Sequence, residues 1–151
     1  MTRSERMAPV QRVFADAERD RARALGEAQQ RLTAAEARAT ELRNYHADYL
    51  RSFQQRAAGG HSVTALRDFQ AFLARLEQAL AQQDKIVAQA REQVAQQRRS
   101  WQGAARQVKA VDSVVERWQG EERIAGERRE QKDTDERAQR SALRARSVEG
   151  Q

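Results

Sequence analysis

Residues 69–118 read FQAFLARLEQALAQQDKIVAQAREQVAQQRRSWQGAARQVKAVDSVVERW. Within this stretch Phe69, Leu73, Leu76, Leu80, Gln83, Val87, Ala90, Val94, Gln97, Trp101, Ala104, Val108, Val111, Val115 and Trp118 fall at alternating steps of four and three. That is one unbroken seam of about seven heptads. A lone helix of this composition would leave the stripe in water, so the repeat demands a partner helix and a left-handed supercoil.

The partner lies upstream. Met7, Val10, Phe14 and Ala17, then Leu25, Ala28, Leu32, Ala35, Ala39, Leu42, Tyr49 and Phe53, keep similar spacing. Two successive steps of four, from Ala17 through Arg21 to Leu25 and beside Gly26, predict a stutter. Pro9 suits the start of a helix, where its missing amide donor costs nothing, so the first helix is expected over 8–58. The turn is expected at 59–62, inside AAGGHS, where Gly59-Gly60 ends one helix and Ser62 or Thr64 caps the next. A connection this short makes the two helices antiparallel neighbours. The fold class expected is all-α, a long antiparallel two-helix coiled-coil hairpin with the second helix overhanging the first.

The arms are unequal. At 1.5 Å per residue the first helix would span roughly 75 Å, and a second from Val63 to Arg140 on the order of 115 Å. The hairpin is therefore expected over 1–118, with its second helix at 63–118. Residues 119–151 are expected to form a polar helical extension fraying to a disordered tail, since beyond Ile124 only Leu143 and Val148 are large and apolar.

Composition narrows the function. Of the 151 residues, 5% are aromatic and 33% charged, a poor recipe for a thick core but a good one for a coiled coil. There is no cysteine, which removes disulfides and thiolate metal sites and suits a reducing interior. The N-terminus MTRSERMAPVQRVF lacks the apolar run of a secretory signal. No stretch approaches the ~20 apolar residues of a membrane span, and a soluble protein is expected. The net charge of +6 raises nucleic acid as a partner. The arginines, however, are interleaved with Glu and Asp rather than gathered, and stacking aromatics are absent, so nucleic acid is not expected.

Catalytic parts are missing as well. His46 falls on the first seam and His61 in the turn, with no second ligand at metal spacing. No nucleophile triad and no phosphate-binding glycine motif is present, and carboxylates such as Asp133, Asp135 and Glu136 would need a partly dry pocket to act as acid or base. No enzyme activity, metal, cofactor or small-molecule substrate is expected. Trp101 and Trp118 read as seam residues. Phe72 lies one position off the seam, and with Leu76, Ala79 and Gln83 it makes a flanking stripe. That stripe is either an exposed anchor for a partner or the edge of a broad seam with Phe72 folded over the first helix.

LRNYHADYL at 42–50, the glycine turn, LRDFQAFLARLEQAL at 66–80 and EQKDTDERAQR at 130–140 resemble, in that order, the bacterial flagellar export family FliJ. Type III secretion stalk proteins look similar. The resemblance covers nearly the whole chain. It implies a cytoplasmic component of flagellar type III export, peripherally associated with the inner membrane at the flagellar base and serving motility and chemotaxis. It implies a stalk in the pore of the hexameric flagellar export ATPase, which promotes ring assembly and activity. It further implies contact with the cytoplasmic domain of the export gate membrane protein and with flagellar export chaperones. The gate-binding stripe it implies is Phe72, Leu76, Ala79 and Gln83, the last standing where a histidine is expected in enteric relatives. ATPase-ring binding is implied at the end where the termini meet, with Arg123, Arg128, Arg129, Asp135, Glu136 and Arg140 as the residues. A basic nucleic-acid-binding helix and a generic, parallel-dimerising coiled coil are the competing readings.

Overall fold

The computed structural model describes residues 1–60 and 62–150; His61, which the sequence places in the turn, and Gln151 lie outside them. The described residues form a 3₁₀ turn, Glu5–Met7, and two helices, α1 (Ala8–Ala57) and α2 (Val63–Glu149). There is no strand among them. The fold is all-α, two long helices packed against each other as a hairpin.

Local chemistry explains the turn. Gly60 takes a φ of 79°, a left-handed conformation costly for any residue with a Cβ, and α1 ends beside it. The amides of Gly59 and Gly60 close back on the carbonyls of Arg56 and Ala57 at 3.0 and 3.1 Å. Ser62 then caps α2, its Oγ accepting the Ala65 amide at 3.1 Å.

The chain divides into two compact units, residues 18–104 and residues 1–17 with 105–151, whereas the sequence placed its boundary at Trp118. In the first unit α1 and α2 run antiparallel, as shown by contacts whose numbers fall on one helix while they rise on the other. Phe53 stacks on Phe69, Arg43 pairs with Asp84 at 2.8 Å, and Glu36 pairs with Arg91 at 3.5 Å. Exposed pairs of this kind each contribute about 0–1 kcal/mol, so the seam carries the stability. Its centre is Ala35, Ala39 and Val87 with Leu32 packed against them; Ala28, Leu76, Ala90 and Val94 are also buried. Small alanines on α1 thus pack against larger valine on α2 at the centre of the seam.

In the second unit Val115 is buried, and Gln11 Nε2 donates to Asp112 Oδ1 at 3.0 Å. Ser4 is buried against Glu122, and every described residue after Gly126 is exposed. α2 thus runs on past the last residue that touches the N-terminal segment.

Two expectations change. The polar helical extension expected from residue 119 is present, but where it was expected to fray to a disordered tail α2 stays helical to Glu149. Its Ala, Arg, Glu and Gln content has high intrinsic helix propensity, which needs no buried stripe. The N-terminal seam also differs: Val10 is 37% exposed and Ala17 is exposed, while Gln11 and Glu18 are the half-buried positions. Glu18 accepts the Trp101 indole N–H at 2.8 Å. Counted through Met7, Gln11, Phe14, Glu18 and Leu25, the spacing is an ordinary heptad and requires no stutter. Apolar character pointed to valine and alanine, but a polar side chain with a partner across the seam took the position.

Candidate functional site

The sequence singled out two regions, and the structure treats them differently. The first is the α2 stripe in the unit of residues 18–104. Phe72 is half-buried, with its ring edge-on to Tyr45 at 6.1 Å between centroids and tilted on Tyr49 at 4.4 Å. It is folded over α1, the broad-seam alternative. Aromatic pairs of this geometry contribute about 0.5–1.5 kcal/mol beyond area burial. Leu76 is 7% exposed and belongs to the seam, not to a free stripe. Gln83 reaches across α1, its Nε2 donating to the Ala35 carbonyl at 3.0 Å. Ala79 alone of the four is exposed.

Of the four stripe residues, Leu76 lines a depression whose other lining residues come from α1. Arg38, Glu41, Leu42 and Tyr45 line a depression of about 400 Å³ with Leu76 at its base. Tyr45 is 53% exposed, which leaves a large amphipathic ring at the lip. The sequence reading assigned neither Tyr45 nor Leu42 to this site. The available signal was Leu42, Tyr45 and Tyr49 at steps of three and four, on a helix whose seam also passes through Leu42 and Tyr49. Tyr45 makes that face wider than a two-residue seam requires.

Nearer the turn, Tyr49 and Phe53 stack on Phe69 at 5.1 and 3.6 Å. Ser52, Arg56, Ala65 and Asp68 complete a second depression of about 390 Å³ there. His46, on the same arm, lies 3.4 Å from Glu77.

The second region is the α2 stretch beyond Glu122. Arg123, Arg128, Arg129, Asp135, Glu136 and Arg140 are all exposed. At about 100° per residue, Arg129, Glu136 and Arg140 share one face, and Arg128 and Asp135 share the next. Arg123 points in a third direction. Gln131, Lys132 and Gln139 join Arg128, Asp135 and Glu136 around a shallow furrow of about 390 Å³. The helix thus spreads the six residues over its circumference and does not gather them into one patch.

Among the described residues no three His, Cys, Asp or Glu side chains converge as a metal site would require. Nor is any helix among them long and apolar enough to cross a membrane. The arrangement offers surfaces for binding: an aromatic-lipped groove and a charged single helix.

A family model described as flagellar FliJ protein matches residues 3–147. No curated protein and no solved structure matches the chain.

Proposed function

Because the chain belongs to the flagellar FliJ family, and so to the protein-export machinery of the flagellum, we propose that it is a non-enzymatic stalk that couples the hexameric export ATPase to the membrane export gate. The single observation that supports this best is the unpaired length of α2. Past Glu122 it carries exposed charge of both signs and no covered face, as suits insertion among polar loops of a ring. Contacts made by Arg123, Arg128, Arg129, Asp135, Glu136 and Arg140 would weaken with salt. That six-residue set covers several faces of the helix, which fits a partner that surrounds it better than one that docks on a side.

The export gate's cytoplasmic domain is assigned to the stripe of Phe72, Leu76, Ala79 and Gln83, with Tyr45 beside it. Ala79 leaves room for a partner side chain, and Phe72 and Tyr45 supply apolar and aromatic contact. Export chaperones are further partners, and the chain works at the cytoplasmic face of the inner membrane, at the flagellar base.

The test is export ATPase turnover with and without the protein, together with co-purification on the ATPase. Stimulated turnover and a salt-sensitive complex are expected. Absence of both sinks the stalk role. For the gate, Phe72→Ala is expected to weaken binding of the gate's cytoplasmic domain while circular dichroism shows the helices intact; unchanged binding removes the stripe from the proposal.

A further inference from the structure

The first seven residues do more than start a helix. Thr2 N donates to Glu5 Oε2 at 2.8 Å, and Glu5 N donates to Thr2 Oγ1 at 3.3 Å, a reciprocal capping pair that sets the 3₁₀ turn. The turn delivers consecutive side chains to one stretch of α2. Ser4, 6% exposed, donates twice to Glu122: its N–H to Oε1 at 3.0 Å and its Oγ to Oε2 at 2.5 Å. Arg3 pairs with Glu121 at 2.8 Å while its guanidinium lies 4.0 Å from the centre of the Trp118 ring.

These bonds end on carboxylates and on an aromatic face. The helix pairing, by contrast, rests on buried alanine, valine and leucine. The two are therefore held by different forces and respond to different conditions. Charge-assisted hydrogen bonds to a carboxylate are roughly twice as strong as neutral ones, and that surplus disappears on protonation. We infer that residues 2–7 are a strap that releases α2 at 118–122 when Glu122 gains a proton or its charge is screened, while the helices stay paired.

Arg3 of the strap acts on Glu122 electrostatically, and Glu121 and Arg123 flank it along α2. The Ser4 side-chain bond, then the Ser4 backbone bond, hold the Glu122 carboxyl below the ordinary glutamate value, with smaller help from Thr2 and Arg3 and against some desolvation. The folded value is thus lower than the unfolded one. The strap's contribution is complete above the unfolded value and is lost as pH falls through the lowered folded value. Release uncovers the Trp118 face and frees the carboxylates of Glu121 and Glu122 from their partners.

The experiment is an NMR titration of the ¹⁵N-labelled full chain from neutral to acid pH, following the Ser4 amide and the Trp118 indole N–H. Far-ultraviolet circular dichroism reports the helices in parallel. Arg3→Ala/Glu122→Ala, which keeps Ser4 but removes its acceptor and the Arg3 contacts, supplies the reference positions of an open strap. In the wild type both signals should move together to those positions before helicity falls. With Glu122→Gln, which is neutral at every pH and has one acceptor oxygen in place of two, both signals should lie at the open positions throughout and that step should vanish. High salt should move the wild-type midpoint upward in pH. An identical step in Glu122→Gln, or movement of the two signals only along with loss of helicity, overturns the strap; a midpoint indifferent to salt overturns the screening part.

Discussion

Replacing Leu76 by alanine separates a seam residue from a surface anchor, because two neighbouring stripe positions should answer oppositely. The substitution removes three carbons from a side chain that is 7% exposed. At about 0.8 kcal/mol per buried carbon, the transfer loss is about 2 kcal/mol. A further cavity term applies where surrounding atoms cannot close the gap, and it carries leucine-to-alanine losses up to about 5 kcal/mol in rigid cores. Here Leu76 lines an open depression with Leu42 and Tyr45, so water or the tyrosine ring can enter the space. The expected loss is therefore about 2 kcal/mol, at the lower end of the range. Ala79→Ser, one turn further along α2 and exposed, should stay within about 0.5 kcal/mol of wild type. Urea unfolding followed by circular dichroism measures both. A Leu76→Ala loss below about 0.5 kcal/mol would refute the assignment of this residue to the seam.

Ala39→Leu should destabilise by about 1–3 kcal/mol in the same assay, because Ala39 is 2% exposed, packed with Ala35 and Val87, and three extra carbons must be forced into that cluster. Phe72→Ala should cost about 1–2 kcal/mol from lost contact with Tyr45 and Tyr49. An unchanged midpoint would mean that the ring is not folded over α1. Gln83→Ala should cost about 1 kcal/mol, since it deletes the bond to the Ala35 carbonyl but leaves that oxygen its helical partner. Trp101→Phe should cost about 1.5–3 kcal/mol by stripping Glu18 of its indole donor, and Glu18→Gln introduced on top should cost less than it does alone.

Which parts of this molecule were legible in advance follows from the kinds of force involved. The seam from Phe69 to Trp118 could be read because burying apolar side chains imposes a period, and a period survives in one dimension. The turn could be read because only glycine accepts the backbone angle at Gly60 without strain. The helical extension past Trp118 was expected, but its end was read as disordered because large apolar residues are sparse there, whereas α2 is helical to Glu149. The family pattern in 42–50, 66–80 and 130–140 was likewise a matter of order along the chain, and a family match over 3–147 agrees with it.

What the chain could not disclose by itself is which polar residues face inward and with whom. Gln11 and Glu18, not Val10 and Ala17, hold the seam positions of the heptad, and each finds a partner on α2, Asp112 and the Trp101 indole. Gln83 is spent on a carbonyl of the other helix, and Leu76 is covered while Ala79 is not. The strap combines both cases: Thr2 and Glu5 carry a local capping signature, but Ser4 and Glu122 meet across a separation of 118 residues. Hydrophobic burial is additive and non-directional, so its pattern is written along the sequence. A hydrogen bond exists only where donor and acceptor arrive at one point with the right angle, and that is decided by the folded arrangement of two helices.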